Sequence, residues 1–438
     1  MGTFRVGAAK INITPPVDQE KGVWEIDSVP TLDKPTGHRE LRKPVYYQGV
    51  HDDLYAKALV LDDGDQKLAM IIADLGGTTT DFTSRIRDLV EKRTNILKEN
   101  ILVAATHTHT GPTAYAKRTV DDWPYDECLS NVYARKVASS AYMANDNLRE
   151  ARFGVGSGYV EGVAANRRDP KGPTDPEVGI LRFDESVGSL YSVLINFTCH
   201  PTVVRVTKYI SKDFPHYALR VAEKVKGEDV IAIFTNGAEG NQSTRHTRRE
   251  TTFREADRLG TMLGAEALKT LEKIETTDEV SLRVSSEMID FPLRKKFSVE
   301  EATKLWEKRV KEFEKYKGQK MSGKARTAMI NVLGAEHALR LAQSDIKEVK
   351  AEMQAIAIND TILIGIPGEL FVEFGLEIKK NSPFKHTYLI GLANETVGYI
   401  PTPKAFKEGG YEVGGAPIAP ESGALIVKTA LNLADKLK

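Results

Sequence analysis

Ile101-Leu102-Val103-Ala104-Ala105-Thr106-His107-Thr108-His109-Thr110-Gly111-Pro112 begins as an apolar run long enough for one buried strand. It ends in two histidines and then a Gly-Pro stop. Along an extended backbone, alternation sends both imidazoles to the same side and turns Thr108 away. Imidazole is the commonest protein ligand for zinc-like metals, and metal sites often sit where strands end and loops begin. The same pattern also describes a polar strand terminus with two hydrogen-bonded histidines. By itself H-x-H leaves both readings open.

Around this strand, the first 290 residues alternate short apolar runs with amphipathic stretches of helical period. That alternation predicts an α/β fold, a mixed β-sheet core flanked by helices. Strands are expected near 55–62, 67–74, 101–105, 153–159, 178–184, 190–198 and 229–234, and helices near 82–98, 128–149, 214–226 and 252–274. Residues 280–291 alternate as a strand with one wet face. Residues 298–345, dense in Lys, Glu and Ala, read as a charged helical hairpin insertion whose two helices join at Lys317-Gly318 through Gly323. Ser298-Val299-Glu300-Glu301 is a capping-box pattern, and Ala302, Leu305, Trp306, Val310 and Phe313 keep to one stripe. A solvated insertion with its charges facing outward is expected; a lid or a contact between copies in a homo-oligomer are the alternatives. Strands resume at 350–358, 361–366 and 387–392, so residues 1–438 are expected to form one α/β domain. No internal repeat of fixed period is visible.

The bulk composition narrows the partners. Lys plus Arg equals Asp plus Glu, at 61 each, so no net field favours nucleic acid or an anionic membrane surface. No run approaches the length of a transmembrane segment, and the start, MGTFRVGAAKINITPP, has no apolar core of a signal peptide. Cys128 and Cys199 are too few for a disulfide framework. A cytoplasmic protein with reduced cysteines and a small-molecule substrate is expected.

Several other apolar runs end in residues that metal chemistry uses. Leu194–Cys199 is followed by His200-Pro201, and Val230–Phe234 by Thr235-Asn236-Gly237-Ala238-Glu239-Gly240-Asn241. Ile362–Ile366 leads to Pro367-Gly368-Glu369, and Tyr388–Leu392 to Ala393-Asn394-Glu395 and then Gly398-Tyr399. If these strands share one sheet edge, His107, His109, His200, Glu369 and Tyr399 meet in one cleft, where open α/β sheets usually bind ligands. Each has a plainer reading: His200 as a core histidine on a carbonyl, Glu369 as a helix cap, Tyr399 as packing. Two histidines and a carboxylate are an ordinary catalytic zinc set.

With these motifs in order, the chain resembles the N-terminal catalytic domain of the neutral/alkaline, non-lysosomal ceramidase family. V-G-A-A-K-I-N-I-T-P-P (6–16) looks like that family's first strand and turn, and T-H-T-H-T-G-P (106–112) matches its T-H-T-H-S-G-P. Asn166-Arg167 stands where the family has Asn-Arg, and Phe197-Thr198-Cys199-His200-Pro201-Thr202 is similar to its F-A-V-H-P-T. Pro367-Gly368-Glu369-Leu370 falls at its P-x-E-F segment, which a helix follows. Gly398-Tyr399-Ile400-Pro401-Thr402 resembles x-Y-I-T-T, and Tyr411-Glu412 resembles the Arg-Tyr-Glu after it.

The resemblance implies a zinc ion held by His107, His200, Glu369 and Tyr399, with His109 on the substrate side and Arg167 and Tyr411 against the substrate oxygen. Two departures bear on the activity. The family's G-D-V-S-P-N loop reads Ala238-Glu239-Gly240-Asn241-Gln242-Ser243 here, which puts Asn241 at the serine position. Asn is no nucleophile, though its amide can donate to an oxyanion or orient water, so attack by metal-activated water is expected over a serine route. The family's immunoglobulin-like C-terminal domain is also expected to be lacking, which leaves ceramide and a small soluble amide or ester both open as substrate. The expected function is therefore a zinc-dependent hydrolase of a linear amide (N-acyl) bond, ceramidase-like and tied to lipid metabolism. A zinc-dependent ester or lactone hydrolase, and a non-catalytic binding relic of the family, are the alternatives. A metal-free serine hydrolase lacks its G-x-S-x-G elbow.

Overall fold

Ile101–Ala105 is a strand whose side chains bury alternately on two faces, Ile101, Val103 and Ala105 in one apolar cluster, Leu102 and Ala104 in another. That two-sided burial repeats throughout a computed structural model describing residues 3–17, 20–24, 44–117, 125–205, 207–316 and 323–438.

The strands fall into three successive units. The first contains β1 (Arg5–Asn12), β2 (Tyr55–Asp62), β3 (Lys67–Ala73), α1 (Thr80–Thr94), β4 (Ile101–Ala105) and α2 (Glu127–Asp146). Its strands lie in sequence order, the first two pairings antiparallel and β3/β4 parallel. The second contains β5 (Arg149–Tyr159), β6 (Glu177–Glu185), β7 (Leu190–Phe197), α3 (Phe214–Lys226), β8 (Ile231–Asn236) and α4 (Phe253–Leu271), with the same order and the same senses. The third runs β9 (Leu282–Asp290), α5 (Val299–Glu314), α6 (Gly323–Gln343), β10 (Lys350–Ile358), β11 (Thr361–Gly365), α7 (Val372–Asn381), β12 (His386–Ile390), α8 (Pro403–Glu408), α9 (Tyr411–Gly414) and α10 (Ser422–Leu437). Its four strands again pair antiparallel, antiparallel, parallel. Without α5–α6 and α8–α9, each unit reads βββαβα. The repeat is one of topology and burial, with connections of unequal length, so no sequence period reveals it.

One face of each unit looks into a shared core. Leu59, Met70 and Leu102 of the first unit meet Leu181, Phe183 and Ile233 of the second and Ile356, Leu363 and Tyr388 of the third. The opposite faces pack on each unit's own helices: α1 and α2, α3 and α4, α7 and α10. Each large side chain buried this way contributes about 1.5–3 kcal/mol. The first two units join into one eight-stranded sheet only at Arg5/Glu150 and Val6/Arg149, while β9–β12 form a separate sheet. The expectation of a single sheet edge is therefore corrected. The candidate residues come from two sheets whose inner faces meet.

Most expected elements form close to the expected bounds. The helix expected at 82–98 instead begins at Thr80 and stops at Thr94, because Asn95 takes a left-handed conformation (φ 58°) and returns its N–H to Glu91. In the hairpin, the capping box at Ser298 and Glu301 forms, Ala302 is buried, and Trp306 and Val310 pack with Val332 and Ala335 of α6. The expected joint over 317–322 lies outside the described residues. Among the described residues, no helix is long and apolar enough to cross a membrane. β1 forms where the resemblance implied a first strand within 6–16, although alternation alone did not mark it, and the helix reading overlooked α10, whose Ile426, Val427, Ala430, Leu433 and Leu437 form an ordinary amphipathic stripe.

Buried polar groups fasten the units to one another. Lys57 Nζ donates to the Ala232 carbonyl at 2.5 Å, and Asn196 Nδ2 to that of Leu389 at 2.7 Å. Asn394, left-handed at φ 63°, accepts from Val103 N at 3.0 Å and donates its own N–H to Val103 O at 2.7 Å. Its Nδ2 also donates to Gln354 Oε1 at 3.0 Å. Asn394→Ala removes these side-chain bonds, leaves a buried N–H alone and puts alanine in a conformation it disfavours. A loss of about 2–4 kcal/mol is expected in equilibrium urea unfolding; an unchanged midpoint would refute this role for Asn394.

Candidate metal centre

The ends of the parallel strands supply the site. After β4, Thr106 N donates to Ala73 O at 2.9 Å and its hydroxyl to Asp74 Oδ1 at 3.1 Å. The chain then turns left-handed at His107 (φ 69°), whose N–H donates to Leu75 O at 3.0 Å. The hydroxyls of Thr108 and Thr110 both donate to Ser211 O, at 2.6 and 2.7 Å. His107 and His109 do meet, with their Nε2 atoms 3.3 Å apart, but a turn brings them together where extended alternation was expected. A left-handed non-glycine residue is uncommon and clusters at functional sites.

The ring nitrogens of the two deepest histidines face opposite demands. His107 Nδ1 lies 2.7 Å from Gly76 O. His200 Nδ1 lies 2.7 Å from Glu239 O and 3.0 Å from Gln242 O. A carbonyl only accepts, so each Nδ1 carries the ring's proton, and each Nε2 is left with a lone pair. Both lone pairs face one carboxylate oxygen: Glu369 Oε2 is 2.9 Å from His200 Nε2 and 3.5 Å from His107 Nε2. Burial and nearby Arg167 push the His200 imidazole down to about 4. Burial and the other two histidines push His109 well below its ordinary value. Lone pairs and an anion converging without a proton between them form a donor set that a cation completes. His107, His109 and His200 bring ligand atoms within 4.8 Å of one another, so this buried group can hold a metal ion.

Glu369 is aimed by a short strand, Glu369–Leu370, paired in parallel with Tyr399–Ile400 so that Glu369 stands beside Tyr399. The Tyr399 ring stacks near His200 at 6.3 Å and lies under the Arg167 guanidinium at 5.2 Å. Burial pushes the Tyr399 phenol well up, opposed by Arg167. Arg167 Nε donates to Glu412 Oε1 at 2.8 Å, and Arg168 holds the other oxygen of Glu412 at 2.8 Å. One terminal nitrogen of Arg167 is buried with no hydrogen-bond partner among the described residues. Tyr411 stands 5.9 Å from Tyr399, ring to ring.

The loop after β8 is a hub. Besides the two carbonyls on His200, Gly240 N donates to Leu370 O at 2.8 Å, and Asn241 O accepts from Arg167 N at 2.8 Å. A Cβ on Gly240 would fall 2.3 Å from Glu369 O, so only glycine lets the loop approach this closely. The Asn241 amide is engaged elsewhere: Oδ1 accepts from Val372 N at 2.9 Å and Nδ2 donates to Glu373 Oε2 at 2.8 Å, which caps α7. Ser243 is buried, and its Oγ accepts from Arg245 N at 3.2 Å. Sequence reasoning overlooked Glu412, although it adjoins Tyr411 in the quoted motif, and also Glu239. Neither Glu239 carboxyl oxygen has a hydrogen-bond partner among the described residues, and burial followed by Glu369 pushes this acid well up.

Comparisons with known proteins point to one family. Residues 43–252 match the family described as neutral/alkaline non-lysosomal ceramidase, N-terminal. A neutral ceramidase of Pseudomonas aeruginosa is 26% identical over 189 residues, which is 39% of this chain and 28% of that protein. The crystal structure of neutral ceramidase from Pseudomonas aeruginosa superposes on all of this chain and 75% of its own, with a TM-score of 0.76 and 18% identity. A ceramidase complexed with C2 gives 0.74 at 18% identity over the same shares. At that identity the likeness is one of fold.

The depressed His200 value gives a signed pH effect. Above its ordinary value near 6.5, His200 is neutral folded and unfolded; between there and about 4, only the unfolded chain takes the proton. The stability attached to this ring is therefore fully present above 6.5 and lost as pH falls towards about 4, by up to about 3 kcal/mol. Urea unfolding of metal-free protein from pH 7 to 4 should show His200→Gln with a flatter decline than wild type. Parallel declines would mean that the ring is not held neutral.

Proposed function

We propose, from the match of residues 43–252 to the neutral/alkaline non-lysosomal ceramidase family, that this chain is a zinc-dependent hydrolase cleaving a linear N-acyl amide bond. The observation that carries this reading is the pair of Nε2 lone pairs, from His107 and His200, converging on Glu369 Oε2. The ligands proposed are His107, His200, Glu369 and Tyr399. They come from all three units, which supports reading 1–438 as one catalytic domain. Zinc, when bound, supplies a Lewis acid and makes water nucleophilic near neutral pH.

The remaining groups act on the substrate. His109 is half-buried while His200 is fully so, which fits a substrate-side place for His109, where its neutral ring would take the proton given up by the attacking water and pass it to the leaving amine. Arg167, paired with Glu412, has a buried donor with no hydrogen-bond partner among the described residues, and a developing oxyanion would complete it. Tyr411 closes the same side. Asn241 is a positioning residue, holding the α7 terminus and the Arg167 backbone. A serine route finds no support, because the buried Ser243 is tied to its own turn.

The relatives are named for ceramide; only the bond class is carried over here. Esters and lactones present the same carbonyl to the same groups, so they belong in the substrate screen. The exposed free thiol of Cys128 suits a reducing compartment such as the cytoplasm.

Metal analysis of the purified chain should find about one zinc per molecule, as for a single catalytic site. His200→Ala should abolish both metal retention and turnover, whereas Ser243→Ala should keep most of both. Zinc bound without hydrolysis of any amide, ester or lactone would leave a binding relic. Lack of zinc after reconstitution would remove the proposal altogether.

A further inference from the structure

We propose that the α5–α6 hairpin sets the substrate-side wall of the site by gripping α9, and that His337 is a positioning residue for that wall. This rests on the reading above of where substrate lies.

α9 is a four-residue helix without a side-chain N-cap, preceded by Gly409 and Gly410 at φ 72° and 105°. So short a helix cannot hold its own place. Its position comes from α6. At their crossing the two backbones touch: a Cβ on Gly334 would fall 2.9 Å from Gly410 O, and one on Gly414 would fall 2.0 Å from Gly334 O. One helical turn from Gly334, His337 places its ring 5.0 Å from that of Tyr411. From the segment leading into α5, Arg294 donates to Val413 O. Lys296 Nζ closes the hairpin's base, donating to Ser344 O at 2.9 Å and Ile346 O at 3.2 Å. Around Trp306 and Val310 the hairpin has an apolar core of its own, so it acts on α9 as a body.

What α9 carries reaches the metal centre by two routes. Glu412 holds Arg167 and Arg168, each at 2.8 Å. A row of rings runs inward from the hairpin: His337 to Tyr411 at 5.0 Å, Tyr411 to Tyr399 at 5.9 Å, Tyr399 to His200 at 6.3 Å. The hairpin makes none of the His200 or Glu369 hydrogen bonds described above. It is placed to shape the wall and leave the metal alone. The insertion does have a solvated charged face, but its other face is part of the site's support.

The test compares wild type with Gly334→Ala, His337→Ala and His337→Phe, the last keeping a ring against Tyr411. Zinc content, kcat/KM across N-acyl amides of increasing chain length, and hydrogen exchange over residues 409–415 would be measured. Gly334→Ala and His337→Ala should keep wild-type zinc and lose about tenfold in kcat/KM, with the long-to-short-chain ratio shifting about fivefold. Exchange in 409–415 should quicken about tenfold, and His337→Phe should return all values towards wild type. Unchanged selectivity with unchanged exchange would overturn the proposal, as would loss of zinc in His337→Ala. If wild type hydrolyses none of the series, the hydrolase reading falls, and the exchange comparison still decides whether the hairpin holds α9.

Discussion

Two imidazoles, each with its single N–H committed to backbone carbonyls, turn their lone pairs onto one carboxylate oxygen. Neutral rings and an ionised Glu369 repel at close range unless a cation lies among them, and burial removes the water that would otherwise screen them. The surrounding structure reads as the means of keeping this arrangement in place: carbonyls from Gly76, Glu239 and Gln242 that fix both tautomers, and a short parallel pairing that stands Glu369 beside Tyr399.

The threefold recurrence of βββαβα explains how residues so distant in sequence come together. In each unit the parallel pair, third strand and fourth, points its carboxyl ends the same way, and the loops there carry polar residues. The first unit delivers His107 after its fourth strand, while the second and third deliver His200 and Glu369 after their third strands. The loop after the fourth strand of the second unit, Gly237–Gln242, then fastens His200, Arg167 and the Glu369 segment at once. The position where the resembled family carries a serine is occupied here by an asparagine that braces α7.

The third unit breaks the pattern twice, by α5–α6 and by α8–α9, and the two additions pack on each other. Glycines at the crossing let backbones meet where side chains would hold them apart, so α9 is located by main-chain contact. That makes the charged hairpin, ordinary in composition, a neighbour of Arg167 through Glu412.

The sequence by itself determined the α/β class, most strands and helices, the capped hairpin, and the identity of His107, His109, His200, Glu369 and Tyr399 as a group. These are local matters, written in period-two alternation, in caps, and in motifs at strand ends. Only the tertiary structure decided that three units share one core, that His107 is delivered by a left-handed turn, that the Asn241 amide caps α7, and that Glu412 clasps Arg167. Each of those depends on contacts between segments far apart in the chain, where geometry, not spacing, determines which donor meets which acceptor.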